Sequence, residues 1–151
     1  MSIIAHTMEY TGGEMSSPSL TLRSYADRDY PSYSEAYNDC FAGMRRALGL
    51  VPVNCCDTRG VLLNKSENIF ILEIDNHLAG SVAIYKNEID DLFVAKSYQR
   101  KGYGKGLLRF AVACMQRMGV SPIILHVADW NRGAISLYTK NGFRIVKTET
   151  V

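Results

Sequence analysis

The segment Leu92-Phe93-Val94-Ala95-Lys96-Ser97-Tyr98-Gln99-Arg100-Lys101-Gly102-Tyr103-Gly104-Lys105-Gly106 constrains this chain more than any other. A β-rich run passes through a basic, glycine-punctuated turn straight into a helix, so a strand edge, a turn and a helix N-terminus must meet at one place. Glycines at 102 and 104 let the backbone approach a ligand closely. Successive N–H groups and the positive end of the helix dipole favour an anion there. The spacing Gly102-x-Gly104-x-Gly106 is not the GxGxxG of dinucleotide folds, and no GxxxxGK[ST] phosphate loop occurs anywhere. Taken alone, the turn reads as a phosphate cradle or as a plain strand-to-helix connection.

The surrounding pattern predicts an α+β fold: a mixed, mostly antiparallel sheet flanked by helices, with a β-α-β unit near its end. Residues 1–18, with Gly12-Gly13 and Ser16-Ser17-Pro18, read as a flexible extension ahead of a single domain over 19–151. Leu20 and Leu22 alternate with Thr21 and Arg23, which predicts a strand over Ser19 to Tyr25. Tyr33, Tyr37, Cys40, Phe41, Met44 and Leu48 recur at helical spacing, with Ser32 and Glu35 as a capping box and Pro52 beyond the end. A short helix over Asp57 to Asn64 precedes a hairpin of Asn68 to Asp75 and Leu78 to Lys86, and Glu88 to Val94 pairs antiparallel with its second strand. Gly104 to Met118 is the clearest helix, with Leu107, Leu108, Ala111, Val112 and Met115 on one face and Gly119 as its stop. A buried strand over Pro122 to Ala128, a helix over Asn131 to Lys140 and a last strand over Phe143 to Thr150 complete the order β-α-α-β-β-β-α-β-α-β.

A second constellation lies about 25 residues beyond the glycine turn: Asn131-Arg132-Gly133-Ala134-Ile135-Ser136-Leu137-Tyr138-Thr139-Lys140-Asn141-Gly142-Phe143. Together the two resemble the GNAT acetyltransferase superfamily over residues 19 to 150. The first motif appears as Gln99, Gly102 and Gly104, and the second as Asn131, Ala134, Leu137, Tyr138, Gly142 and Phe143. The resemblance implies acetyl-CoA as co-substrate, held by Leu92, Phe93 and Val94 of the strand, by Gln99, Arg100, Lys101, Gly102, Tyr103, Gly104 and Lys105 of the turn, and by Asn131, Ala134 and Tyr138. It implies further that the Leu92 N–H polarises the thioester carbonyl, that Val94 pairs with the pantetheine arm, and that Tyr138 protonates the leaving thiolate. Phenol and thiol pKa values, about 10 and about 8.5, are close enough for that transfer. Packing of the short helix on the sheet is the plainer role for Tyr138.

An amine acceptor must lose a proton before it attacks. Glu88, eleven residues before Gln99, stands at the register where some relatives carry a glutamate base. Asp90 shares its sheet face by strand alternation, Asp91 points the other way, and Glu73 or a water chain are the alternatives. His126, inside a predicted buried strand, reads as a core histidine, whereas His6 and His77 read as solvent-facing. Cys114 reads as core. Tyr25, Tyr30, Tyr33 and Tyr37 fit an aromatic acceptor wall or ordinary helix packing equally well.

The remaining sequence features bound partners and setting. Net charge is +2 from 17 basic and 15 acidic residues, too small to argue for nucleic acid, and Arg100, Lys101, Lys105 and Arg109 cluster where coenzyme A already accounts for them. Cys40, Cys55, Cys56 and Cys114 form neither a metal pattern nor a disulfide framework, so a cytoplasmic protein without metal is expected. The short apolar runs, with Glu9 and Glu14 in an N-terminus lacking a basic stretch, lead to the expectation of neither membrane span nor targeting segment. A non-catalytic acyl-CoA-binding regulatory module is the rival reading. Two departures from the family pattern stand out. Lys96 replaces a frequent proline, adding a cation near the phosphates. Only one strand follows Tyr138 where the family has a hairpin, so the open sheet edge calls for cover, by Met1 to Tyr10 or, more simply for so loose an extension, by a second subunit in a homodimer.

Overall fold

The computed structural model describes residues 2–151; Met1, the first residue of the expected extension, lies outside the described residues. Seven strands form one sheet: β1 (Ile4–Tyr10), β2 (Leu22–Ser24), β3 (Ile69–Ile74), β4 (His77–Tyr85), β5 (Glu88–Val94), β6 (Ile124–Ala128) and β7 (Phe143–Thr150). They lie in the order β2-β3-β4-β5-β6-β1-β7. Only β5 and β6 run parallel, joined across the sheet by α3 (Tyr103–Arg117). The mixed, mostly antiparallel sheet expected from the sequence is therefore present.

Alternation along the strands splits the core into two layers. Leu72, Val82, Ile84, Leu125 and Phe143 face α3, whose Leu107, Leu108, Ala111, Val112 and Met115 recur at helical spacing and are all buried. Ile69, Ile71, Ala83 and Phe93 point to the other face. There they meet Tyr33 of α1 (Tyr30–Ala47) and Leu62 of α2 (Arg59–Asn64). Tyr33 sets its ring edge-on to Phe93 at 5.3 Å and to Tyr25 at 5.4 Å, so α1 is fixed above the middle of β5.

The N-terminal segment corrects the sequence reading. Residues 4–10 are not a loose extension but an interior strand, antiparallel to both β6 and β7. Their period-2 pattern explains why: His6 and Met8 are buried among the core layers while Ala5, Thr7 and Glu9 face the other side. Hydrogen bonds from Tyr10 to the Ile123 carbonyl at 2.9 Å and from Thr11 to the Gly142 carbonyl at 2.8 Å extend the tie beyond the strand. The place between β6 and β7 is thus filled by β1 of the same chain, and the argument for a second subunit there falls away.

Other boundaries move for local reasons. The first predicted strand shrinks to three residues. Helix α1 begins before Ser32, with Pro31 in its first turn, so the Ser32–Glu35 capping box does not form. Thr58 caps α2 by accepting from the Val61 N–H, which shortens that helix. The β3–β4 hairpin turns through Asp75 and Asn76, both at positive φ of 51° and 64°, as a tight primed turn requires.

Candidate active site

Strands β5 and β6 pair only at Glu88 with Ile124 and Ile89 with Leu125, then part. The parting coincides with a bulge in β5. Ser81 opposes Phe93 and Ala83 opposes Asp90, so Asp91 and Leu92 share one place opposite β4, and Asp91 sits at φ 47°. Beyond the bulge, the Ala95 N–H donates to the Ala79 carbonyl of β4 at 2.8 Å. Alternation then turns the N–H groups of Leu92 and Val94 away from β4, toward the opening. Gly80 makes the close approach of β4 feasible, because a Cβ there would lie 2.8 Å from the Phe93 carbonyl oxygen.

At one end of the opening the glycine turn meets α3. Arg100 at φ 65° and Gly102 at φ 85° curl the backbone into the helix, and no side chain caps the first turn. The first helical acceptor is the Gly102 carbonyl, bonded by the Gly106 N–H at 3.2 Å, so the N–H groups of Tyr103, Gly104 and Lys105 precede the helical ladder. Space beside Gly102 is open. A cavity of about 550 Å³ runs from Arg100, Gly102 and Gly104 past Val94 and Leu92 to Asn131 and Ala134 of the α4 (Arg132–Lys140) N-terminus.

The other end is a cavity of about 320 Å³ that shares Leu92, Asn131, Ala134 and Leu137 with the first. Tyr138 of α4, Asp90 and Asp91 of β5, His126 of β6 and Tyr37 and Phe41 of α1 line it. Burial, and then the negative charge of Asp90, push the Tyr138 phenol up to about 12, so it remains a proton donor throughout the neutral range. Burial pushes the Asp91 carboxyl up to about 6, with Asp90 adding to the rise and the Tyr37 hydroxyl, which donates to Asp91 Oδ1 at 3.0 Å, opposing it.

The residues read from the sequence fall in several places. Leu92, Phe93, Val94, Gln99, Arg100, Gly102, Tyr103, Gly104, Asn131 and Ala134 line the longer cavity, and Tyr138 lines the shorter one. Lys101 and Lys105 are exposed on the same turn. Gln99 folds its amide back onto the Val94 carbonyl at 2.9 Å, and Asn131 spends its side-chain oxygen on the Ala134 N–H at 3.2 Å, so both act first on the local backbone. Glu88 is set back from the cavity, with its carboxylate 3.3 Å from His126 Nδ1. Glu73 pairs with Arg23 on the far side of the sheet.

Four expectations are corrected. His126 is not a core histidine, since its side chain is 46% exposed and lines the cavity. His6 is not solvent-facing: it is buried, 2.8 Å from Thr148 Oγ1 and 2.7 Å from Asp129 Oδ1. Asp91 does not point away, because the bulge adds one residue and turns both aspartates to the opening. Lys96 adds no charge to the cradle, since it pairs with Asp39 of α1 at 3.2 Å. Of the four crowded tyrosines only Tyr37 reaches the cavity, while Tyr25 and Tyr33 belong to the core.

Residues 21–143 match the acetyltransferase (GNAT) family, and the chain belongs to that family. Over 60 residues it is 45% identical to the GCN5-related N-acetyltransferase 6, chloroplastic, of Arabidopsis thaliana, covering 40% of this chain and 21% of that protein. Over 59 residues it is 37% identical to the L-ornithine N5-acetyltransferase NATA1 of the same plant, covering 39% of this chain and 26% of the relative. The matches thus span well under half the length of these curated relatives. In fold it is similar to the PaiA N-acetyltransferase of Thermoplasma acidophilum, solved in complex with coenzyme A, with a TM-score of 0.65 at 21% identity over 83% of this chain and 90% of that one.

Proposed function

We propose that this chain transfers acetyl from acetyl-CoA to a primary amine by direct attack in a ternary complex. The observation that carries the reading is the continuous opening between β5 and β6, which joins the uncapped N-terminus of α3 to Tyr138 and two carboxylates. The residues fit coenzyme A. The Tyr103, Gly104 and Lys105 N–H groups and the α3 dipole suit a pyrophosphate, with Arg100, Lys101 and Lys105 as counter-charges. Val94 offers a strand edge to the pantetheine arm, and the Asn131 amide nitrogen, its oxygen engaged, offers a donor.

In this reading the Leu92 N–H stabilises the charge that develops on the thioester oxygen, where a fixed dipole costs no reorganisation. Tyr138 returns a proton to the departing thiolate. Asp90 and Asp91 draw a cationic acceptor into the shorter cavity, beside Tyr37 and Phe41. All four cysteines are free thiols, which supports a reducing, cytoplasmic setting. The test is released thiol and acetylated product from acetyl-CoA with L-ornithine, spermidine, an aminoglycoside and a peptide N-terminus. Turnover of at least one amine is expected. Acetyl-CoA binding without turnover of any would instead favour the regulatory module.

A further inference from the structure

We infer that Asp91, held by the Tyr37 hydroxyl at the β5 bulge, takes the proton from the acceptor amine. The inference rests on the N-acetyltransferase reading and assigns to it the base that the sequence placed at Glu88.

Geometry separates the carboxylates of β5. Glu88 does not line the acceptor cavity, and its contact at 3.3 Å with His126 Nδ1 turns it toward β6. Asp90 lines the cavity but is exposed to solvent, and one of its oxygens is already engaged by the Asp91 N–H at 2.7 Å. Asp91 is half-buried, lines the cavity next to Leu92, and accepts a 3.0 Å hydrogen bond from the Tyr37 hydroxyl of α1. The chain holds Asp91 at φ 47°, a left-handed conformation that aspartate tolerates better than most side chains and that the bulge requires here. Without that bulge its side chain would lie on the opposite face from Asp90.

The charge surroundings agree. Asp90 on the same strand and Asp57 before α2 oppose ionisation, whereas Tyr37 from α1 and Lys65 after α2 favour it. Tyr85 of β4 and Cys56 lie near enough to feel the Asp91 charge, and His126 of β6 and Arg45 of α1 line the same cavity. Burial dominates these influences. The result is a carboxylate that is ionised at neutral pH yet more basic than an exposed aspartate.

The step balances. Asp91 accepts one proton from the ammonium group and passes it to solvent through the cavity mouth. The freed nitrogen lone pair forms the N–C bond at the thioester carbonyl. The carbonyl π pair moves onto oxygen and returns as the C–S bond breaks. The sulfur leaves with the C–S bonding pair and takes the Tyr138 proton, and the phenolate recovers a proton from the new amide nitrogen.

The test is the pH dependence of kcat/KM for the full chain, with acetyl-CoA and the amine of the panel above that turns over fastest. In the unmodified chain the acidic limb is expected to break near pH 6, where burial holds the Asp91 carboxyl. Asp91→Asn, whose amide oxygen can still accept from Tyr37, loses about a hundredfold to ten-thousandfold in rate and loses that break. Tyr37→Phe removes a donor to the carboxylate, so the break moves to higher pH, which a packing defect alone would not cause. Glu88→Gln keeps the break. Turnover in Asp91→Asn within threefold of the unmodified chain, with the break retained, overturns the inference and leaves the transferase reading intact. A break lost in Glu88→Gln but kept in Asp91→Asn also overturns it. No turnover of any amine by the unmodified chain overturns both. Carboxyl-carbon NMR of the unliganded protein supplies a readout without activity: a signal titrating near pH 6 must vanish in Asp91→Asn, and its persistence there contradicts the assignment.

Discussion

At the α3 end the opening between β5 and β6 is walled by backbone, with N–H groups at Tyr103 to Lys105, a left-handed glycine and a strand edge at Val94. At the other end it is walled by side chains from α1, β5, β6 and α4, and its charge is acidic instead of basic. The backbone-built end needs glycines at fixed spacing and little else, so it can bind the same group in many chains. The side-chain-built end depends on which residues four separate elements bring together. That difference assigns cofactor recognition to the first and acceptor choice and proton transfer to the second.

The largest separation of the two ends comes from Tyr138→Phe, expected to lower kcat by about a hundredfold to ten-thousandfold while acetyl-CoA affinity stays within threefold. Equal losses in both would mean that Tyr138 acts chiefly in cofactor binding. In the opposite sense, Gly102→Val with Gly104→Val should abolish the rise in melting temperature caused by acetyl-CoA. A hundredfold excess over Kd gives about 2.7 kcal/mol of stabilisation, and that is the amount to be lost. Thermal shifts with and without acetyl-CoA check it, and an unchanged shift would break the comparison at its backbone end.

Smaller effects sharpen the acceptor end. Folded Asp91 holds its proton up to about pH 6, and its ordinary value is 3.8. The native state thus binds more protons than the unfolded chain in that window, and the unmodified protein loses stability as pH rises through it. Asp91→Asn removes that loss. The variant should be more stable than the unmodified chain above pH 6, by up to about 2–3 kcal/mol, with the gain fading below about pH 4. Denaturant titrations across that range check the sign. Smallest of all, Lys96→Ala should cost at most about 1 kcal/mol and leave acetyl-CoA affinity unchanged, because Lys96 is exposed and engaged with Asp39. A clear loss of affinity would return Lys96 to the cradle.

The same contrast explains what could be read from the sequence. The glycine turn, α3, the hairpin and the order of elements from the first helix onward follow from local spacing, and the structure contains them. The Asn131 to Phe143 pattern likewise lands on a capped helix and a strand. What escaped depends on contacts distant along the chain. Residues 4–10 alternate as a strand should, but Gly12-Gly13 and Pro18 mark them off locally from the rest of the domain. Only pairing with β6 and β7, more than a hundred residues away, makes them interior. His6 is buried because Thr148 and Asp129 meet it, and neither is near in sequence. Strand alternation put Asp91 on the wrong face because a single extra residue in β5 reverses every expectation based on period two. His126 reads as core because it sits within a run of apolar strand residues, whereas β6 loses its β5 partner beyond Leu125 and leaves that side chain at the cavity.

The division of the site is tested most directly by following backbone amide NMR shifts of the full chain while acetyl-CoA and then the most rapidly acetylated amine are added. The account predicts that coenzyme A with its thioester moves the amides of Leu92, Val94 and Tyr103 to Lys105, and that the amine then moves those of Tyr37, Asp90, Asp91 and His126. Shifts from acetyl-CoA confined to the acidic end, with Tyr103 to Lys105 unmoved, would contradict it.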